Sequence, residues 1–488
     1  MTRERVTVRT LASVVGVLVV VEFTSGVLQG WYTPMLTDIA RSLDIRDADV
    51  NWFEGAQLLL AALVVPAFAR LGDMLGHRRM LLWSTALTAL ASLALPFTGS
   101  FAPFLVAWAL QGFYVVWLPL QIALIWSRSR SLANRAAVTA AAAGLLVGAL
   151  EFGAITGALL GGALVGTLPL PVVLLIPALL VVLCFVVVLI GVRESPQPAG
   201  GRFDGGGLAL VSVGLVGALG GLGLLRILGA TSPVPWLLLA AGIGVLAVFA
   251  RFELRQEEPL IDVRMFRSPA LGPVFLTAGL FGVSVLGAQA PLSTFARTDP
   301  AVHGYGLGTT GFTTSLIIGV YLIAMIAGAL LFPPIARAVS PRRTLVGASI
   351  LVAGGFLLLI PLNGAYASVT ACMVVVGLGS GALVAALPAA AAAAAPASQT
   401  GVATGLTNSV KTVGGAIASA VFGLALVQGA STATVSPFAG YVTVWAVCAG
   451  TALVAAVLLL LVVPRDAFTD ASVPARPART GTPRRPPR

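Results

Sequence analysis

Leu170 to Gly191 reads LPVVLLIPALLVVLCFVVVLIG, an apolar stretch without a single charged side chain. A helix needs about 20 mostly apolar residues to cross the hydrocarbon of a bilayer. The stretch therefore predicts a membrane-spanning helix. Its length and its lack of apolar–polar alternation exclude a strand of a membrane barrel.

The same character extends over the whole chain of 488 residues, of which 58% are hydrophobic and only 10% charged. Soluble domains carry about 25% charged residues. The mean hydropathy is +0.99. Because so little charge cannot cover a water-facing surface, the composition excludes a soluble enzyme, a disordered chain and an ordinary nucleic-acid-binding protein.

Similar apolar runs occur before and after residues 170–191, and from them we predict an all-α membrane protein with fourteen spans. Their predicted ranges are 11–33, 50–69, 80–98, 102–125, 137–163, 170–191, 207–228, 235–250, 270–293, 310–333, 344–362, 367–391, 401–427 and 439–463.

Residue types that build catalytic or metal sites are scarce. Cys184, Cys372 and Cys448 lie far apart in apolar runs, and the chain has only two histidines. We therefore expect no disulfide framework, no metal and no cofactor. Val410 precedes the single lysine, Lys411, so no phosphate-binding loop can be written and direct use of ATP is not expected. Short, nearly histidine-free loops also argue against a membrane enzyme.

The basic residues are distributed unevenly between the two sides of the predicted membrane. With the N-terminus inside, 24 of the 29 basic residues fall in cytoplasmic segments. This predicts an even number of spans with both termini in the cytoplasm. The formal charge of +11 then marks the cytoplasmic face and gives no reason to expect nucleic acid. We expect residues 1–10 to form a cytoplasmic tail and the Pro- and Arg-rich residues 464–488 a disordered one.

A weak internal repeat links the two parts of the chain. Pro66-Ala67-Phe68-Ala69-Arg70 precedes Arg78-Arg79, and Pro333-Pro334-Ile335-Ala336-Arg337 precedes Arg342-Arg343. Both copies follow a span that is predicted to run inward, and both are predicted to form short basic turns. Two related halves with a binding site between them are the usual construction of a secondary transporter.

The stretch from Ala69 to Arg79, ARLGDMLGHRR, resembles the major facilitator signature G-x-L-x-D-R-x-G-R-R between helices 2 and 3. The positions that match are Leu71, Asp73, Gly76 and Arg78, and Ala69, Met74 and His77 depart from the pattern. The resemblance implies that Leu71, Asp73, Gly76, Arg78 and Arg79 belong to a gating loop that latches the two halves on the cytoplasmic side. A plain basic turn that contains an aspartate is the alternative.

Helix 5 contains Gly153, Gly157, Gly161 and Gly162, in an order that resembles the antiporter motif g-x-x-x-G-P-x-x-G-G. Ala158 stands where proline is usual. Glycines at a spacing of four allow two helices to approach closely. The resemblance implies a seal or hinge in the transport pathway, whereas an ordinary glycine-rich membrane helix is the alternative.

Residues 252–267 and 408–415 are similar to segments of fourteen-span drug:proton antiporters, which include quaternary-ammonium and antibiotic efflux pumps. The resemblance implies the major facilitator fold, with two six-helix halves and two inserted helices. We accordingly place the N-terminal half at 11–192, the inserted pair at 207–250 and the C-terminal half at 270–463.

Charged residues inside the spans need a reason, because a charge in the membrane costs several kcal/mol. Glu22 lies about 12 residues, or roughly 18 Å, into the first span. Ser25, Gln29 and Thr33 follow within about 80° of arc, so this stripe must face protein or water. Glu22 is our candidate for the proton-coupling acid, and a structural hydrogen-bonding role is the alternative.

Lys411 lies near the middle of the thirteenth span, where it could pair with a carboxylate of the other half as a charge switch. Permanent pairing or snorkelling is the alternative. Glu151 in helix 5 is a further candidate for proton coupling, and Glu54 at the outer start of helix 2 is a weaker one.

Helix 4 carries an aromatic and polar face formed by Gln111, Tyr114, Trp117 and Gln121. These side chains span roughly 120° of arc. Stacking and hydrogen bonding there would suit an amphipathic or cationic organic molecule, and Ser25 and Gln29 would add polar contacts. Aromatic packing between helices is the alternative.

Together these features predict proton-coupled export of small amphipathic or drug-like compounds by alternating access. Uptake or exchange of a metabolite or sugar by the same fold is the alternative. We expect a small-molecule substrate, protons and the lipid bilayer as partners, and a monomer. Because 28 of the 29 basic residues are arginine, which is typical of GC-rich bacterial genomes, we place the chain in a bacterial inner membrane.

Overall fold

The computed structural model describes residues 15–129, 135–194, 203–395, 400–427 and 434–462, so the predicted tails 1–10 and 464–488 lie outside it. All regular elements of this described part are helical. The long helices, in chain order, are α1 (Leu18–Trp31), α2 (Val50–Leu75), α3 (His77–Ala94), α4 (Phe101–Arg128), α5 (Arg135–Leu164), α6 (Leu170–Gly191), α7 (Gly205–Leu228), α8 (Pro233–Glu253), α9 (Gly272–Arg297), α10 (Gly311–Ala338), α11 (Pro341–Leu359), α12 (Tyr366–Ala394), α13 (Thr400–Ala425) and α14 (Phe438–Leu461).

Twelve helices of the described part are long and apolar enough to cross a membrane. The other two long helices are α1, with 14 described residues, and α13, with 26 residues that include polar side chains and Lys411. Length and composition therefore establish a multi-pass helical membrane protein, while the predicted number of fourteen spans is not established by them.

Two apolar cores organise the helices. Helices α1–α6 pack around one core, which buries Phe53, Trp108 and Trp117. Helices α9–α14 pack around a second core, in which Phe295 and Trp445 are buried. We call these groups the N-terminal bundle and the C-terminal bundle. The pairs α3–α6 and α11–α14 occupy equivalent places in them.

Glycines allow α1 and α5 to touch along most of their length. A Cβ added to Gly26 would overlap the carbonyl oxygen of Leu150, and one added to Gly153 would overlap that of Phe23. Gly157 lies equally close to the backbone of Val27. Side chains at these positions would separate the helices, so the small residues determine how near α5 comes to α1.

The basic turns are shorter than their sequences predict. Helix α2 continues through Arg70 and Asp73 to Leu75, and Gly76, with φ +107°, is the break before α3 begins at His77. The helix thus continues six residues beyond the predicted end of the span at 69. Polar residues do not end a helix that has left the hydrocarbon, whereas a positive φ does.

We expect Gly157→Ala to destabilise the protein, because the new methyl group meets the Val27 backbone. Overpacking of this kind costs about 1–3 kcal/mol. Gly148→Ala is the matched control, since a Cβ there meets nothing within 4 Å. Thermal unfolding in detergent should show a lower midpoint for Gly157→Ala alone. Equal midpoints for the two variants would contradict the role assigned to the α1–α5 contact.

Candidate functional site

The two bundles meet at the end of the molecule that holds the α1–α2 connection, which we call the Asp47 end. Asp38 accepts two hydrogen bonds from Arg297 of the other bundle, at 2.7 and 2.9 Å. Burial raises the pKa of Asp38, although Arg297 and Arg41 favour its charged form. The Asp47 N–H donates to the Thr434 carbonyl at 2.9 Å, which adds a second link between the bundles.

We call the opposite end of the molecule, which holds the break between α2 and α3, the Gly76 end. Gly162 of α5 lies against Gly311 and Ser315 of α10. Gly144 precedes Gly162 by about five helical turns on the same face of α5, and a Cβ there would meet nothing within 4 Å. The face of α5 is thus covered by α10 at Gly162 and open at Gly144, nearer the Gly76 end.

Glu22 lies fully buried on α1, inside the N-terminal bundle. Gln121 of α4 donates a 2.6 Å hydrogen bond from Nε2 to its Oε1. The second carboxylate oxygen, Oε2, has no hydrogen-bond partner among the described residues. Ser25 is also buried, while Gln29 on the same stripe is exposed. The stripe therefore begins in the bundle interior and reaches an accessible surface.

Glu151 and Lys411 face each other across the two bundles. The two side chains are close enough to interact electrostatically, although they form no ion pair within 4.0 Å in the described part of the chain. Tyr321 of α10 lies within electrostatic range of Glu151 and close to Ser380 of α12. The structure thus brings together two charged residues that lie 260 positions apart in sequence.

The predicted face of α4 lies inside the N-terminal bundle. Gln111 donates from Nε2 to the Tyr32 hydroxyl and to Ser92 Oγ, both at 2.9 Å. Tyr114 and Trp117 are buried, with their rings 6.4 Å apart in an edge-on arrangement. In this structure these side chains join α4 to its neighbours within the bundle.

The residues predicted to form a gating loop make contacts within the N-terminal bundle. His77 Nε2 lies 3.3 Å from the carboxylate of Asp73. Arg78 donates to the Val192 carbonyl at 2.6 Å and to the Leu189 carbonyl at 2.8 Å, and so satisfies the C-terminal end of α6. Leu71 packs against the core of this bundle, and Arg79 is exposed.

Glu194 completes this arrangement and was missed in the sequence analysis. Its two carboxylate oxygens accept the backbone N–H groups of Arg78 and Arg79, at 3.0 and 3.2 Å, at the start of α3. A Cβ on Gly76 would overlap the Glu194 carboxylate. The available signal was an acid shortly after the sixth span, because negative charge favours a helix N-terminus.

The sequence profile described as Major Facilitator Superfamily matches residues 18–419 and also residues 274–487. The chain belongs to the Major Facilitator Superfamily. This confirms the family that the sequence motifs indicated, and it makes the chain a transporter rather than an enzyme. Among the described residues, no group of three or more His, Cys, Asp or Glu side chains could hold a metal ion.

Its relatives include bacterial antibiotic export and resistance proteins. The tetracenomycin C resistance and export protein of Streptomyces glaucescens is 27% identical over 79% of this chain and 70% of its own length. The cephamycin export protein CmcT of Amycolatopsis lactamdurans is 28% identical, over 80% of this chain and 79% of its own. The puromycin resistance protein pur8 of Streptomyces alboniger is 27% identical, over 91% and 90%.

Solved structures with the same fold include an auto-inhibited peptide transporter of the POT family. Its TM-score is 0.66 at 17% identity, over 94% of this chain and 98% of that chain. A variant of the nucleoside transporter NupG gives a TM-score of 0.63 at 13% identity, over 92% and 99%. At these identities the likeness shows the fold alone.

We expect Arg78→Gln to destabilise the N-terminal bundle, because it removes the charged donor to the end of α6. Hydrogen bonds from charged groups contribute about 1.5–3 kcal/mol. Arg79→Gln is the matched control, since its backbone N–H to Glu194 survives the substitution. Thermal unfolding should show a lower midpoint for Arg78→Gln only. A loss of the same size in both variants would show that the Arg78 side chain does not cap α6.

Proposed function

We propose that the protein exports small amphipathic or drug-like organic compounds in exchange for protons. The observation that carries this proposal is the Glu22 carboxyl, which is fully buried and has one oxygen without a partner in the described part. Relatives named for antibiotic export or resistance support the direction and the class of substrate.

The environment of Glu22 suits a group that gains and loses a proton. Burying an ionised carboxylate without full hydrogen bonding is costly, so the neutral form is favoured while the site is dry. Gln121 holds one oxygen, and water that reaches the site when the bundles move would stabilise the charged form. Glu22 thus couples its proton to the conformation of the bundles.

We further propose that α1 and α13 cross the membrane together with the twelve apolar helices, which gives fourteen spans. The two bundles are then the two six-helix halves, and α7–α8 is the inserted pair. With both termini cytoplasmic, the Asp47 end faces outward and the structure is the inward-open state of an alternating-access cycle.

The substrate would bind between the bundles, on the side that is open toward the Gly76 end. Glu151, Lys411 and Tyr321 would supply charge and a hydroxyl group there, and we expect the exposed amide of Gln29 to reach the substrate from nearer the Asp47 end. The face of α4 is buried in this state, so Tyr114 and Trp117 would reach the substrate only after the bundle rearranges.

We expect Glu22→Gln to abolish proton-driven transport while substrate binding is retained, because the amide keeps the shape of the side chain but carries no exchangeable proton. Drug accumulation in inverted vesicles after an imposed pH gradient measures coupling, and fluorescence quenching measures binding. Glu253→Gln, which changes another buried glutamate, is the control that should transport normally. Full proton-driven efflux by Glu22→Gln would remove Glu22 from the mechanism.

Two variants test whether the Glu151–Lys411 pair acts in transport or only in stability: one removes a single charge and the other removes both. We expect Lys411→Met to impair transport, because it leaves Glu151 without its counter-charge. The double variant Glu151→Gln/Lys411→Met should recover stability and remain deficient in transport. If the double variant transports like the wild type, the pair is structural and does not switch.

The direction of transport has its own test. Resistance of an expressing strain to a panel of compounds, lost on addition of an uncoupler, is expected for export. Counterflow in oriented vesicles distinguishes export from uptake or exchange, the alternative compatible with Ala158 in the helix 5 motif.

A further inference from the structure

Helices α7 and α8 form a tight hairpin outside the two apolar cores. Gly217 and Gly242 bring their backbones into contact, and a Cβ on Gly221 would overlap the backbone of α8 at Leu239. The outer face of α8 exposes large apolar side chains, including Leu237 and Ile243. The hairpin is thus a compact unit with one face turned away from the bundles.

The inner face of the hairpin lies over the joint where α2 of one bundle meets α13 of the other. Leu219 of α7 is buried in a cluster with Ala416 and Ala420 of α13. Nearer the Gly76 end, Leu215 shares a cluster with Leu63 of α2 and Val413 of α13. The hairpin therefore touches both bundles and covers the line along which they separate.

Its contacts with the two bundles differ in kind. On the side of the N-terminal bundle, Arg226 forms an ion pair with Asp49, which is buried just before α2. The guanidinium also lies 6.0 Å from the centre of the Phe101 ring at the start of α4. At the other end, Glu258, just after α8, forms an ion pair with Arg70 of α2, but this pair is exposed to solvent and holds the hairpin less firmly than Arg226–Asp49. On the side of α13, Leu215 and Leu219 pack in apolar clusters with Val413, Ala416 and Ala420.

This difference has a mechanical consequence. An ion pair shielded from water is strongly directional and is costly to break when one partner would stay buried. Contacts between apolar surfaces are non-directional, and sliding exchanges one such contact for another. Ala416 and Ala420 have small side chains, so the surface of α13 that faces the hairpin has few projections that would obstruct sliding.

We propose that the α7–α8 hairpin is a seal, carried by the N-terminal bundle, that slides over α13 and keeps the α2–α13 joint covered as the bundles move. The proposal rests on the alternating access put forward above. In this proposal the α7–α8 hairpin excludes lipid from one side of the cavity.

Reversible cross-links test which bundle the hairpin follows. Leu222→Cys/Trp52→Cys would link α7 to α2, and Leu219→Cys/Ala420→Cys would link α7 to α13, both with a short bifunctional methanethiosulfonate. The wild type is the reagent control, because its three cysteines are buried. Transport is compared with that of the same variant after the link is reduced.

We expect the α7–α2 link to leave at least half of the transport rate and the α7–α13 link to lower it at least tenfold, reversibly. Val211→Cys/Leu59→Cys and Leu215→Cys/Val413→Cys repeat the comparison nearer the Gly76 end, in case a variant of the first set fails to fold. Inhibition by the α7–α2 link, or undiminished transport with the α7–α13 link, would overturn the proposal.

A third link separates this proposal from the one on which it rests. Asp38→Cys/Arg297→Cys joins the bundles directly at the Asp47 end. It should stop transport if the bundles must part there. Continued transport with this link closed would overturn alternating access itself, and the sliding seal with it. If this link stops transport and the α7–α13 link leaves transport unchanged, the sliding seal is wrong but alternating access stands.

Discussion

Polar groups inside a bilayer must find partners within the protein, and this constraint accounts for most of the structure. It selects helices for the spans, and it also governs where they end. The last carbonyl groups of α6 are satisfied by Arg78, and the first N–H groups of α3 by Glu194. Arg342 repeats the first interaction in the C-terminal bundle by donating to Leu459 of α14 at 2.8 Å. The two bundles thus share the way in which an arginine satisfies the carbonyl groups at the end of their last helix.

Close helix contacts also lie beside two partly buried charges, those of Glu151 and Lys411. Gly26 of α1 packs against the carbonyl of Leu150, next to Glu151, and Gly282 of α9 packs against the carbonyl of Lys411. These are equivalent contacts in the two bundles. Each contact holds the backbone of a helix close to a neighbour at or beside the position that carries the charge.

Ion pairs and apolar contacts lie at different places in the protein, and they resist movement to different degrees. Ion pairs close the Asp47 end and attach the α7–α8 hairpin, whereas glycines, alanines and leucines line the surfaces where helices from different bundles meet. In the alternating access that we propose, a directional contact between the two bundles, such as Asp38–Arg297, has to break, and an apolar contact only has to shift.

The amino-acid sequence alone is enough to predict that the chain crosses a membrane as helices, which family it belongs to, and which acids and bases are costly enough to need a function. Those features depend on local composition and on motifs such as the one from Leu71 to Arg79. Only the tertiary structure decided that Gln121 is the partner of Glu22, that Lys411 faces Glu151, and that Glu194 caps α3. Each of these pairings joins residues far apart in sequence, so it depends on how the helices pack against one another and not on any local periodicity.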